Sequence, residues 1–196
     1  QGVENPIVRK ALGQVYLEKK EFKKAILHLR IAVADQPNDA ETHAALVSAF
    51  DQQGDKQGAI RQVLDSAELS RRDIAVFKDL AGRYSALQLL DDAERAGTMA
   101  VEMLPNESES HSMLAEIRQG QNRWPEAIEQ WRQVVRVRSL EPTGFIKLAE
   151  AQIHEKQWLS ARDTIKTITG KSWPSRFGDV NQKARHLLLA VEQGEK

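Results

Sequence analysis

The sequence of 196 residues contains no cysteine. That excludes a disulfide framework, a thiolate nucleophile and any cysteine-held zinc or iron–sulfur centre. Aromatic residues are scarce, at 6%, and neither sign of charge is in excess, with 28 Lys+Arg against 28 Asp+Glu. Indiscriminate binding to nucleic acid or to an anionic membrane surface normally needs a surplus of Lys and Arg, so neither is expected here. Long apolar runs are also missing. A run such as Leu187–Val191 is only a few residues long, where a bilayer span needs roughly 20. Gln1–Pro6 lacks the charged-then-apolar layout of a secretory signal, and the chain does not start with Met. A processed chain or an excised part of a longer one is expected, and its compartment stays open: cytoplasmic or, if processed, periplasmic.

What the chain does have is a period. Frames starting at Pro6, Ala40, Ile74, Ser108 and Pro142 are each 34 residues apart. Position seven of each is Leu12, Leu46, Leu80, Leu114 and Leu148, and position eight is Gly13, Val47, Ala81, Ala115 and Ala149. Position twenty is alanine throughout: Ala25, Ala59, Ala93, Ala127 and Ala161. A repeat of this length is one supersecondary unit that cannot bury its apolar face alone and needs neighbours to stack on.

Each frame reads as two helices. In the first, Ile7, Ala11, Leu12, Val15 and Tyr16 recur at helical spacing, and Pro6 suits a first turn. A polar break at Glu18–Glu21 separates them from Phe22, Ala25, Ile26, Leu29 and Val33, and Pro37–Asn38 ends the second helix. In the second frame the break contains Gly54, a residue suited to the left-handed conformation that closes a helix. Alanine at position twenty lets two antiparallel helices approach closely, where a bulkier residue would cost about 1–3 kcal/mol. Tyr16, Phe50 and Tyr84 at position eleven, and Phe22, Leu90, Trp124 and Trp158 at position seventeen, fill the flanking space.

With Pro37 and Pro105 closing frames one and three, these residues resemble the tetratricopeptide repeat (TPR) family over about residues 6–174. The departures are Arg71 and Ser139 for the closing proline, Arg118 and Gln152 for the aromatic at position eleven, Lys56 at seventeen, Ser66 at twenty-seven and Gly97 at twenty-four. The resemblance implies an all-α, right-handed superhelical solenoid of antiparallel helix pairs, in frames 6–39, 40–73, 74–107, 108–141 and 142–175. After the linker Gly170–Phe177, a helix over 178–194 carries Val180, Ala184, Leu187, Leu188 and Val191 on one face, with polar residues opposite. A C-terminal capping helix is expected there, covering the last repeat's open apolar face.

Catalytic and metal chemistry find no support. No nucleophile elbow, P-loop or dinucleotide fingerprint is present, and Asp91–Asp92 suit the first turn of a helix, where carboxylates meet free N–H groups. His43 and His111 occupy position four of frames two and four, too far apart to share a metal, and His154 pairs only with Glu150 at i, i+4. Packing or surface roles are expected for the histidines, with no cofactor and no enzyme activity. Arg132, Arg136 and Arg138 around Trp131 form a basic stretch, but Trp131 falls at core position twenty-four, so no nucleic-acid partner is expected.

The resemblance places a partner groove on the first helices at positions two, five, nine, twelve and thirteen. Its candidate residues are Lys10, Gln14, Glu18, Glu41, Ser48, Asp51, Lys78, Ser85, Glu109, Ser112, Glu116, Gln119, Glu150 and His154. Small residues such as Ala44, Ala75 and Gly82 leave room in the middle. Two lysines against six carboxylates make the groove mildly acidic, which favours a polar or basic peptide or helix. The pattern that grips chaperone tails by their terminal carboxylate would need Lys, Asn, Asn, Lys and Arg at fixed places. Lys10, Gln14, Ala45, Ala75 and Asp79 stand there, so no such clamp is expected. The charge balance of zero is itself an average: residues 1–119 carry 15 basic and 19 acidic side chains, residues 120–196 carry 13 and 9. The expected function is a protein–protein interaction module, an adaptor or assembly scaffold. The alternatives are a structural or self-associating module of a larger protein and, behind it, an RNA-binding helical repeat.

Overall fold

The computed structural model describes residues 5–69 and 73–195; Arg71 lies outside them. These residues form eleven α-helices and one short 3₁₀ turn, with no strand. The first helices of the frames are α1 (Pro6–Glu18), α3 (Ala40–Gln53), α5 (Ile74–Ala86), α7 (Ser108–Gly120) and α9 (Pro142–His154). Each starts on the first residue of its frame. The second helices, α2 (Phe22–Asp35), α4 (Lys56–Leu69), α6 (Leu90–Met103), α8 (Trp124–Val137) and α10 (Trp158–Thr169), each start at position seventeen. The last helix, α11, runs over Val180–Gly194. The chain divides into two compact units, Gln1–Leu89 with α1–α5 and Leu90–Lys196 with α6–α11.

In the first unit, Ala25, Leu29, Leu46, Ala49, Phe50 and Ala59 form a core between consecutive helices. Close approach is needed here: a Cβ on Gly13 would lie 2.5 Å from Leu29, and one on Gly58 2.6 Å from Phe50. In the second unit, Ala127, Ile128, Trp131 and Leu148 build one cluster, and Phe145, Ala161, Ile165, Val180 and Val191 another. All five position-twenty alanines are fully buried.

The departures from the repeat pattern have local physical answers. Arg118, standing where an aromatic is usual, lies with its Nε 3.1 Å from Glu94 and 3.9 Å from Glu126, both also held by Arg123. Gln152 is buried, and its Oε1 accepts from the Thr164 hydroxyl at 2.8 Å. Gly97 lets α7 come close; a Cβ there would sit 3.1 Å from both Leu114 and Ile117. The turn between the two helices of every repeat places position fifteen in the left-handed region: Lys20 (φ 59°), Gly54 (83°), Gln88 (59°), Asn122 (62°) and Lys156 (55°). Only Gly54 and Asn122 are residue types that favour it.

The linker is more than a spacer. Trp173 donates its indole N–H to the Ile168 carbonyl at 2.7 Å and, with Phe177, packs against the cluster around Phe145. The side chain of Asp179 accepts the Gln182 N–H at 2.8 Å and so caps α11. Val180, Ala184 and Val191 are then buried with α9 and α10 residues, and Gly194 lies against the Trp158 ring.

Candidate functional site

His43 and His111 are buried at equivalent positions, one in each unit, and each bridges a preceding carbonyl and a glutamine of the following helix. His43 Nε2 lies 2.8 Å from the Pro37 carbonyl, which can only accept, so Nε2 carries the proton. Nδ1 then accepts from the Gln62 amide at 2.5 Å. His111 likewise places Nε2 3.0 Å from the Pro105 carbonyl, but its Nδ1 faces an acceptor, the Gln130 side-chain oxygen at 2.8 Å. Both rings fasten a second helix to the preceding turn, and both ring nitrogens are occupied. His154 stacks on Trp124 with centroids 3.7 Å apart. Among the described residues, no group of three or more His, Cys, Asp or Glu could hold a metal ion, and no helix is long and apolar enough to cross a membrane.

On the first unit, the candidate groove residues form two bonded clusters. Lys10 Nζ lies 2.9 Å from Asp39 and 2.6 Å from Glu41, and Gln14 donates to Glu41 at 3.2 Å. The Thr42 hydroxyl and the Lys10 ammonium together hold the Asp39 carboxyl down at about 2, and Lys10 also lowers Glu41. Across α3 and α5, Arg83 bridges Asp51 at 2.6 Å and Asp79 at 3.0 Å. Gln14, Glu18 and Ser48 line a polar hollow of about 650 Å³ between α1 and α3. Between α3 and α5, Ala44, Val47, Ala75 and Val76 line a smaller hollow of about 330 Å³. Lys78 is exposed on α5, and Ser85 is half-buried.

On the second unit the candidates scatter. Glu116 is exposed on α7, while the Ser112 hydroxyl turns back to the Glu109 carbonyl at 3.0 Å. Gln119 is drawn off the groove by the Trp131 indole N–H, 3.3 Å from its side-chain oxygen. Glu150 lies 2.9 Å from Lys147. It borders a groove of about 620 Å³ between α9 and α11. The structure thus adds charges that the five groove positions omit: Arg83 at position ten and Lys147 at position six. Their signal in the sequence was helical spacing, Asp79 to Arg83 at i+4 and Lys147 to Glu150 at i+3. Of the groove carboxylates, Glu41, Asp51 and Glu150 each carry a basic partner.

Residues 10–74 match the family profile described as tetratricopeptide repeat. No curated protein matches the chain. Among solved structures, MamA residues 41 to the end from Desulfovibrio magneticus RS-1 is 15% identical, with 93% of this chain and 97% of that one covered at a TM-score of 0.57. YrrB, described as a TPR protein with an unusual peptide-binding site, is 13% identical over 93% of this chain and 91% of that one, at 0.58. PilF of Pseudomonas aeruginosa is 18% identical over 96% and 89%, at 0.53. At such identities the likeness is one of fold.

Proposed function

We propose that the chain, whose residues 10–74 match the tetratricopeptide-repeat profile, binds a polar or basic peptide segment along the first-helix faces of its N-terminal unit. A protein-interaction role is the general property of this fold; the segment's chemistry is read from the site. The observation that carries it is the charge pattern around this groove. Lys10, Lys20, Lys78 and Arg83 stand against Glu18, Asp39, Glu41, Asp51 and Asp79, and both ion-paired clusters set two carboxylates against one cation, Asp39 and Glu41 on Lys10, Asp51 and Asp79 on Arg83. The hollow floored by Ala44 and Ala75 offers room for an inserted backbone, and Gln14 and Ser48 offer hydrogen bonds. The peptide-binding site named for YrrB supports the same use of the fold.

Fluorescence anisotropy with short, end-capped peptides tests this. Lys- and Arg-bearing peptides should bind with modest affinity that falls as salt rises, because the pairs are solvent-exposed. Glu18→Lys with Glu41→Lys should slow association. An unchanged on-rate, or equal binding of acidic peptides on this unit, refutes the proposal.

One observation favours a second reading, self-association. Val8, Ala11 and Val15 at positions three, six and ten of α1 are exposed, Val8 at 49% and Val15 at 42%. The corresponding Thr42 and Ala49 of α3 are buried beneath the preceding helix. A second copy of the chain would cover this face. Light scattering decides: a monomer at high concentration rejects it, and a dimer lost on Val8→Lys supports it.

A further inference from the structure

We infer that the groove between α9 and α11 docks an acidic peptide segment of another protein, one that carries a Leu or Phe beside its carboxylates. This rests on the peptide-binding reading above but assigns the C-terminal end of the chain a different ligand. Ile146 and Leu187, both half-buried, give the groove an apolar floor, and its volume of about 620 Å³ lies in the range of about 300–1,000 Å³ that holds a ligand.

The walls decide the charge. Lys147 and Glu150 on α9 satisfy each other at 2.9 Å. The Asp179 carboxylate on α11 is engaged by the Gln182 N–H at 2.8 Å, where it also meets the positive end of the helix. Lys183 and His186 are exposed, and neither has an ion-pair partner among the described residues. The uncommitted groups are therefore an ammonium and an imidazole N–H, spaced three residues apart on one face of α11.

A segment that laid an apolar side chain on Ile146 and Leu187 would carry its carboxylates to Lys183 and His186. A basic segment would meet the uncommitted Lys183 ammonium. Asp179 adds a direction: it disfavours an acidic residue at the N-terminal end of α11, so the carboxylates belong toward His186.

The test uses the full chain and end-capped peptides containing Leu-Glu-Glu, Leu-Lys-Lys or Ser-Glu-Glu, followed by anisotropy and amide chemical-shift mapping. Followed at the amides of α9 and α11, the Leu-Glu-Glu peptide should bind about tenfold more tightly than either of the others. Lys183→Glu with His186→Glu, two exposed positions that leave the core intact, should lose that peptide and accept Leu-Lys-Lys. Equal binding of acidic and basic peptides at α9 and α11, or shifts confined to α1–α5, overturns the inference. If basic peptides bind the N-terminal unit while α9 and α11 stay unshifted, the inference alone fails. If no peptide binds anywhere, the reading beneath it fails as well.

Discussion

A single backbone requirement recurs through the chain in residues that do not share a side-chain chemistry. Position fifteen is left-handed in all five repeats, yet it is filled by Lys20, Gly54, Gln88, Asn122 and Lys156. For a residue with a Cβ the left-handed state costs about 1–2 kcal/mol, of which glycine's larger unfolded entropy returns about 0.5–1. Lys20→Gly, Gln88→Gly and Lys156→Gly should each therefore stabilise the chain by about 0.5–1 kcal/mol in urea titrations, while Gly54→Ala should destabilise it by about 1 kcal/mol. This geometry was legible only at Gly54 and Asn122. A lysine announces nothing about its own φ; the turn is imposed by the two helices it joins.

Asp39 makes a second prediction at this scale. Its carboxyl is held at about 2 in the folded state against 3.8 otherwise, by the Thr42 hydroxyl first and Lys10 second. A depressed carboxylate adds stability above the unfolded value, and that stability is lost as pH falls from about 4 toward 2. Asp39→Asn should flatten this part of the acid limb in denaturation series run across that window. If wild type and variant lose stability in parallel, the pairing contributes nothing.

At the scale of elements, the 34-residue period was the most legible property of the chain, because packing enforces it twice per repeat. Leucine at position seven and alanine at position twenty are the contact points of a helix pair, and α1, α3, α5, α7 and α9 all begin at the frame starts. Less legible was how the degenerate frames survive. Arg118 and Gln152 look like losses of an aromatic until Glu94 and Thr164, 24 and 12 residues away, prove to be their partners. Neither partner lies at a spacing that a single helix would reveal.

The 34-residue period says nothing of α11, which lies beyond its last frame, yet its apolar stripe was plain. Truncation before Val180 should uncover Phe145, Ile165 and Ile168 and remove Val180 and Val191. Each large side chain so exposed forgoes about 1.5–3 kcal/mol, less the entropy of ordering the helix. The truncated chain should show a lower urea midpoint and a tendency to precipitate. Equal solubility and an equal midpoint would refute the capping role.

At the scale of the whole molecule, the candidate site was legible as a set of positions and much less so as a charge. Counting groove positions gives carboxylates in threefold excess over lysine, but Arg83 and Lys147 sit just outside those positions and neutralise Asp51 and Glu150. Side chains reach across register lines that a position count respects. The residue types nevertheless distinguish the two ends, two carboxylates to each cation in the ion pairs of Lys10 and Arg83, uncommitted Lys183 and His186 on α11.

The tryptophans that pack α7, α8, α10 and the linker have one more consequence. All four, Trp124, Trp131, Trp158 and Trp173, fall in the C-terminal unit, whereas both tyrosines, Tyr16 and Tyr84, fall in the N-terminal one. Nature has thereby given the chain two separate optical labels. Indole emission, excited at the red edge where phenol is dark, watches only the C-terminal half melt, while helical ellipticity watches everything. Superimposable curves would mean that a change anywhere is felt along the entire array; an early departure of ellipticity from emission would mean that the N-terminal half can let go alone.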